Sequence, residues 1–258
     1  MCKTQGNRMY NNISIFTTDS LYSYILLKDF IHNHHKNISA IYISKPLKRQ
    51  KYHKFFFRKV INGLGIRYYL QRVIHDIKNK NSESTIINLA NKYNIHTIDA
   101  PNINDTKIVN KVREDKTDII ISGYFDQIIK KDLIKIPSFG ILNIHLSMLP
   151  EYRGVKPVFW VLKNNESKTG ITIHIVEEGL DTGDIVIQKE VDILSSDSVD
   201  SLTKRMSIVG SEILQTAIEN IQLNKLELKK QNLGSGSYYS QPTKKDLTHF
   251  KKQGKKFY

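Results

Sequence analysis

Residues 117–124 read TDIIISGY, a short apolar run that has the length of one β-strand. A run of this kind, with no alternation of polar residues, is typical of a strand whose two faces are both buried. Upstream, strand-like runs at 13–18, 38–44 and 95–100 alternate with helical patterns. Strands that alternate with helices along a chain predict a mostly parallel sheet in an α/β domain.

The second half of the chain has a different periodicity. The segments GITIHIVEE (170–178) and DIVIQKEVDIL (184–194) alternate apolar with polar residues around a turn-rich GLDTG. They predict two antiparallel strands that each bury one face, and a helix is expected over 198–220. We therefore expect a mostly parallel twisted sheet, with helices on both faces and antiparallel strands in the second half. The expected domain over 1–223 is followed by a strand or loop appendage over 224–258.

The composition is that of a globular chain. Of the 258 residues 40% are apolar, and Cys2 is the only cysteine, which excludes an intrachain disulfide and a cysteine-based metal site. The N-terminus lacks an apolar segment of signal-peptide length, and no apolar run is long enough to span a membrane. We expect a cytoplasmic protein.

Basic residues outnumber acidic ones by 39 to 25, which gives a formal net charge of +14. Such an excess can attract a nucleic acid, a membrane surface or a phosphorylated small molecule. The lysines are scattered in pairs, so the charge alone does not choose among these partners. A basic amphipathic stripe at 51–79 is expected to pack on the domain or at a subunit contact, with binding to a membrane or an anionic partner as the alternative.

Three polar side chains are candidates for chemistry. Asn143 and His145 lie two residues apart on a predicted strand and so point to the same face, and Asp181 follows in the GLDTG turn. An amide donor, a titratable base and a carboxylate suit acyl transfer, in which an oxyanion is stabilised and a proton is removed. Each also has a plainer explanation: a loop-holding asparagine, a hydrogen-bonded core histidine and an Asx turn. A metal site on His145 and His174 has no third histidine or cysteine nearby in the sequence, and the residues alone leave an active site and an ordinary strand both open.

A longer motif surrounds these residues. The stretch NIHLSMLPEYRG (143–154), followed by TGITIHIVEEGLDTGDIVIQ (169–188), resembles the folate-dependent formyltransferases. These include glycinamide ribonucleotide formyltransferase, methionyl-tRNA formyltransferase and the sugar-nucleotide N-formyltransferases. Met148 stands where leucine is usual and Ile171 where valine is usual, and both changes conserve volume. The resemblance implies the Rossmann-like formyltransferase fold and favours an active site.

The resemblance also implies roles for individual residues. Asn143 corresponds to the amide donor to the formyl oxygen. His145 corresponds to the group that takes the proton of the attacking amine or stabilises the charged intermediate, and Asp181 to the carboxylate that supports the imidazole and a bound water. The implied co-substrate is N10-formyltetrahydrofolate, and no metal is required. The family's pterin site corresponds to Phe125, Gln127 and Ile129 on one side, and to Gly179 and Leu180 on the other.

The acceptor follows from a second resemblance. The stretch RGVKPVFWVLKNNESKTGITIH (153–174) and the tail GSYYSQPTKKDL (236–247) are similar to the sugar-nucleotide enzymes. Arg153 and Lys156 could hold a nucleotide diphosphate. The predicted acceptor is a dTDP-linked 4-amino- or 3-amino-dideoxyhexose, a precursor of surface polysaccharide. The predicted contacts are Tyr152, Arg153, Gly154, Lys156 and Trp160, with a place in the core as the alternative for Trp160.

Two other activities stay open. A methionyl-tRNA formyltransferase-like enzyme would use the charge of +14 to bind tRNA, and a hydrolase would split 10-formyltetrahydrofolate with water. We expect a nucleotide-sugar partner rather than a nucleic acid, and a possible homodimer because relatives are commonly dimers.

Overall fold

The computed structural model of the chain describes residues 11–45 and 83–258. The predicted amphipathic stripe at 51–79 lies outside the described residues. In chain order, the elements of the first half are β1 (Ile13–Thr17), α1 (Leu21–His34), a 3₁₀ turn (His35–Asn37), β2 (Ile38–Ser44), α2 (Ile86–Lys92), β3 (Thr97–Ala100), α3 (Thr106–Glu114), β4 (Ile119–Gly123) and α4 (Lys131–Ile134). The second half contains β5 (Gly140–His145), β6 (Arg153–Gly154), α5 (Pro157–Lys163), β7 (Lys168–Ile175), β8 (Ile185–Asp192), α6 (Val199–Gln222), a 3₁₀ turn (Leu233–Ser235), β9 (Tyr238–Tyr239) and α7 (Lys244–Lys252).

Seven strands form one mixed sheet in the order β3-β2-β1-β4-β5-β7-β8. The first five of these strands are parallel, whereas β5–β7 and β7–β8 are antiparallel. The predicted α/β class and the antiparallel strands of the second half are confirmed. Ile119 and Ile121 of β4 enter one hydrophobic core and Ile120 enters another, so the apolar run is buried on both faces, as the pattern at 117–124 indicated.

Successive residues of β1, β2, β4 and β5 enter two separate hydrophobic cores. Leu142 and Ile144 of β5 belong to the core that contains residues of α1, α2, α5 and α6, while Ile141 belongs to the core that contains residues of α3 and α4. This alternation follows from the period of two along a strand. Asn143 and His145 therefore share the face of Ile141. They come at the carboxyl end of β5, where α/β sheets bind ligands.

Hydroxyl groups cap the two longest helices. Ser20 is the N-cap of α1 and its side chain accepts from the N–H of Ser23, 3.2 Å away. At α6, Ser198 and Ser201 each accept from the other's backbone N–H, which makes a capping box. Within residues 11–45 and 83–258, no helix combines the length and the apolar character that a bilayer crossing requires.

The C-terminal residues return to the middle of the chain. β9 pairs with β6 in a parallel two-stranded sheet, and Phe250 of α7 packs against Phe159 of α5, with ring centroids 4.8 Å apart. The pairing fixes residues 150–155, which follow the β5 strand.

Candidate active site

Two rows of polar side chains cross the sheet at the carboxyl end of β5. In the first row Ser122, Asn143 and His174 are paired in register across β4, β5 and β7. In the second row His145 pairs with Thr172, and Thr172 with Gln188 of β8. Residues that pair directly across neighbouring strands point to the same face, so the backbone register alone brings Asn143, His145 and His174 together.

The first row is a directed chain of hydrogen bonds. The Ser122 hydroxyl donates to Oδ1 of Asn143 at 3.0 Å, and the Asn143 amide donates to Nε2 of His174 at 3.1 Å. His174 in turn donates from Nδ1 to the Ile175 carbonyl at 2.9 Å. Since an amide nitrogen only donates, Nε2 of His174 is the unprotonated nitrogen of a neutral ring. One N–H of the Asn143 amide is engaged, and the amide carries a second.

The His145 ring is oriented by the backbone of the loop that follows β5. Its Nε2 donates to the carbonyl of Tyr152 at 2.9 Å. Its Nδ1 lies 3.7 Å from Oδ2 of Asp181. The side chain is 7% exposed, so it forms part of the floor of the site rather than of its rim. The basic nitrogen of the neutral ring is thus Nδ1, beside a carboxylate.

Asp181 lies between two imidazoles. Besides the contact with His145, its Oδ1 is 3.7 Å from Nε2 of His174, and its Oδ2 accepts from the N–H of Gly154 at 2.8 Å. Asp181 adopts a left-handed conformation with φ 53°, which is uncommon for residues other than glycine and tolerated by aspartate. Gln231 donates to the carbonyls of Asp181 and Gly183 and so holds the turn.

The turn needs a glycine at 183. A Cβ there would lie 1.9 Å from the carbonyl oxygen of Ile175. The close approach of the turn to the end of β7 brings the Asp181 carboxylate back over the strand that carries His174.

Burial controls the charge of this cluster. Loss of hydration lowers the pKa of His174 to about 4, with Asp181 acting in the opposite direction and His145 adding to the decrease. His174 is therefore neutral near pH 7, which agrees with its role as acceptor from Asn143. Among the described residues, no group of three or more His, Cys, Asp or Glu side chains could hold a metal ion.

The two loops that correspond to the family's pterin site lie close to each other. Lys131, just after the loop that contains Phe125, Gln127 and Ile129, forms an ion pair of 2.9 Å with Glu178, next to Gly179. Phe125 and Ile129 are partly buried against the core on the α3 face. The Gln127 side chain donates to Ser44 and to the Ala100 carbonyl and accepts from the Ile103 N–H, so it joins the ends of three strands. Leu180 and Ile128 are exposed apolar side chains on the two loops, at 43% and 74%.

The candidate substrate residues fall into two groups. Tyr152, Arg153 and Gly154 are partly buried beside Asp181, and Lys156 is exposed at the start of α5. The Nε of Arg153 is buried, and no described residue accepts from it. Trp160, by contrast, is a core residue: its N–H donates to the carbonyls of Val155 and Ser240, and its ring stacks on Tyr239.

Sequence reasoning missed Ser122 and considered His174 only as a possible metal ligand beside His145. Ser122 ends an apolar run, and His174 sits in an alternating strand like any half-buried polar residue. Ser122 lies outside the quoted motif, and His174 lies within the stretch 169–188 without an assigned role there. The signal that would have found them is the register: once β4, β5 and β7 are aligned as neighbours, both lie directly opposite Asn143.

Known proteins share the sequence of this region. A family model described as formyl transferase matches residues 70–218. Methionyl-tRNA formyltransferase of Alkaliphilus oremlandii (strain OhILAs) is 34% identical over 146 residues, which cover 57% of this chain and 47% of the relative. The chain spans about half the length of the curated relatives it matches.

Solved structures share the fold. The N-formyltransferase of Helicobacter canadensis, in complex with folinic acid and dTDP-3-aminofucose, superposes with a TM-score of 0.64 at 24% identity, covering 90% of this chain and 71% of that one. Glycinamide ribonucleotide transformylase 1 of Symbiobacterium toebii gives a TM-score of 0.63 at 14% identity, covering 89% and 100%. These likenesses show the fold, and the family model spans more than half of the sequence. The chain belongs to the formyl transferase family.

Proposed function

We propose that the protein transfers a formyl group from N10-formyltetrahydrofolate to the amino group of a nucleotide-linked amino sugar. The observation that supports the proposal is the convergence of Asn143, His145 and Asp181 on one face of the sheet. Asp181 lies 3.7 Å from His145 and 3.7 Å from His174, and His174 accepts a hydrogen bond of 3.1 Å from Asn143. Family membership supports the formyl transfer, and the acceptor is the finer part of the proposal.

Asn143 stabilises the charge that develops on the formyl oxygen. Its amide is oriented by Ser122 and His174, and the remaining N–H donates to that oxygen as the amine attacks and the C–N bond forms. A donor fixed in advance needs no reorganisation during the reaction, which is why such groups contribute strongly to catalysis.

His145 and Asp181 handle the proton. Nδ1 of His145 and Oδ2 of Asp181 are two acceptors 3.7 Å apart, and an attacking amine placed between them can donate to both. His145 takes the proton from the nitrogen, and Asp181 stabilises the resulting imidazolium. The proton is then returned to N10 of the folate as the bond from the formyl carbon to N10 breaks.

The residues of the two loops fit a flat reduced pterin. Exposed Leu180 and Ile128 supply apolar contact area on the two loops, and the ring would be bound by backbone groups of the loop that contains Gln127. Gln127 itself would act through its backbone, because its side-chain amide is engaged.

Three features favour a nucleotide sugar as acceptor. Arg153 and Lys156 provide cationic groups beside Gly154, the α1 N-terminus lies at the carboxyl end of β1, and a protein of the same fold binds dTDP-3-aminofucose. The product would serve surface polysaccharide synthesis in the cytoplasm, and a homodimer is proposed with it. The identity to methionyl-tRNA formyltransferases favours charged tRNA as the second candidate acceptor.

A panel of acceptors tests the proposal. Purified protein is mixed with N10-formyltetrahydrofolate and dTDP-, UDP- or GDP-linked amino sugars, charged initiator tRNA, or no acceptor, and products are identified by mass. We expect a mass gain of one formyl group on a dTDP-amino sugar. Formylation of charged tRNA alone would transfer the assignment to that substrate, and release of formate without any acceptor would identify a hydrolase.

A further inference from the structure

A short C-terminal segment, Ser237–Tyr239, holds the loop that follows the β5 strand. Four backbone groups of that loop are bound by it. The N–H groups of Arg153 and Val155 donate to the carbonyls of Ser237 and Tyr239, at 3.0 and 2.9 Å, and the Ser237 N–H donates to the Pro150 carbonyl at 3.2 Å. The fourth bond runs from the Tyr152 N–H to the Ser237 hydroxyl oxygen, at 2.8 Å.

Tyr152 connects this segment to His145. The N–H of Tyr152 is bound to Ser237, while the Tyr152 carbonyl accepts from Nε2 of His145. Tyr152 has φ 57°, a conformation that persists in residues other than glycine when the surroundings hold it. Its ring stacks on Tyr239 with centroids 5.1 Å apart.

The Ser237 hydroxyl is itself oriented. It donates to Oε2 of Glu151 at 2.8 Å, which leaves its lone pairs to accept from the Tyr152 N–H. A methyl group in its place would leave the Tyr152 N–H without this acceptor. The left-handed peptide would then lose one of the bonds that fix the direction of its carbonyl.

The direction of that carbonyl decides which nitrogen of His145 is basic. A neutral imidazole has one N–H, and two acceptors flank the ring: the Tyr152 carbonyl at 2.9 Å from Nε2, and the Asp181 carboxylate at 3.7 Å from Nδ1. The nearer acceptor holds the proton on Nε2 and leaves Nδ1 free to take one. If the carbonyl turns away, the carboxylate draws the proton to Nδ1.

We propose that Ser237 is a positioning residue, which acts through Tyr152 to keep the basic nitrogen of His145 at Nδ1, facing Asp181. The proposal rests on the proposed function for its catalytic consequence, but its structural part concerns the free protein. It makes the C-terminal segment a component of the active site.

Three variants test the proposal. Ser237→Ala removes the acceptor, and Ser237→Thr restores a hydroxyl. Ser235→Ala is the matched control, because among the described residues the Ser235 hydroxyl bonds within its own turn, to the Asn232 carbonyl. Long-range ¹H–¹⁵N spectra of the free protein report the tautomer, and the His145 signals are identified by their loss in His145→Gln. Thermal melting checks that each variant is folded.

In the wild type, Ser235→Ala and Ser237→Thr we expect protonated Nε2 and unprotonated Nδ1. In Ser237→Ala the Nδ1 shift should move toward the protonated value, and kcat should fall about tenfold with KM for the folate unchanged, as expected for misplacement of a proton-transfer group. An unchanged tautomer in Ser237→Ala would overturn the proposal. A changed tautomer in a protein that formylates nothing would leave the positioning role standing and remove only the proposed function.

Discussion

Asn143 donates its side-chain amide to Nε2 of His174, 3.1 Å away and directly opposite on the antiparallel neighbour of its strand. His174 can only accept in this bond, because its single proton is on Nδ1, which donates to the Ile175 carbonyl. The orientation of the amide is thereby determined by the tautomer of a buried histidine.

Loss of the central groups should abolish turnover without unfolding the protein. We expect Asn143→Ala and His145→Ala each to lower kcat by a factor on the order of 10² or more, as for other transition-state donors and bases. Formyl transfer is followed at saturating substrate. His249→Ala, at an exposed position of α7, should keep its activity, and near-normal rates for both active-site variants would remove the assigned roles.

Ser122 should matter for catalysis through its hydrogen bond to Asn143. Ser122→Ala removes the donor to Oδ1 of Asn143, and a hydrogen bond of this type contributes about 1 kcal/mol. We expect kcat to fall about fivefold while KM values hold. Ser14→Ala is the control, because Ser14 is buried on β1 with its hydroxyl bonded to Thr117. Equal kinetics for the two variants would contradict the role of Ser122.

Stability should depend on pH through His174. Its pKa is lowered from 6.5 to about 4 by burial, so between these values the unfolded chain binds more protons than the native one. The contribution to stability is therefore complete above pH 6.5 and is lost as the pH falls toward 4, with a slope of at most about 1.4 kcal/mol per pH unit. Urea unfolding of wild type and His174→Asn at several pH values measures the difference. Parallel curves would show that His174 is not the group responsible.

Gly154 should tolerate no side chain. Its φ is 97°, and a Cβ would lie 2.3 Å from the Tyr239 carbonyl oxygen, while its N–H supports Asp181. Gly254 also has a positive φ, 73°, but open space around it. We expect Gly254→Ala to cost about 1 kcal/mol of unfolding free energy, and Gly154→Ala to cost more and to lower kcat as well. Similar losses for both would mean that the loop around Gly154 adjusts freely.

Lys156 should affect the acceptor rather than the donor. In the proposed complex its ammonium group faces the diphosphate, so Lys156→Ala should raise KM for the dTDP-amino sugar about tenfold and leave KM for the folate nearly unchanged. Lys225→Ala, at an exposed site beyond α6, controls for the loss of one charge. Equal effects on both substrates would argue against this placement of the phosphates.

The sheet could be predicted from the sequence because its signals are local. The apolar run at 117–124 and the alternating segments around GLDTG each predict a β-strand from the residues of the segment itself. The strand order and the β6–β9 pair could not be predicted, because they depend on contacts between residues such as Arg153 and Tyr238, far apart in the chain. The domain boundary expected between residues 223 and 224 stays a prediction.

The candidate site was predictable only where a motif marked it. Asn143, His145 and Asp181 were named through the resemblance, and the structure brings them together around His174. Trp160 was placed among substrate contacts because aromatic rings cover sugars, whereas its ring fills the core. Burial of one aromatic residue among several depends on the packing of α5 against the C-terminal segment, which no local pattern encodes.

The cluster is assembled from two parts of unequal rigidity. Asn143 and His174 belong to central strands, whose amides we expect to exchange with solvent only in large openings of the sheet, whereas Asp181 belongs to a turn that we expect to open locally. Such an opening would move the carboxylate while the amide and the imidazoles keep their places. Deuterium uptake at 179–183 should accordingly exceed that of β5 and β7, and a bound substrate should slow exchange in the turn far more than in the strands.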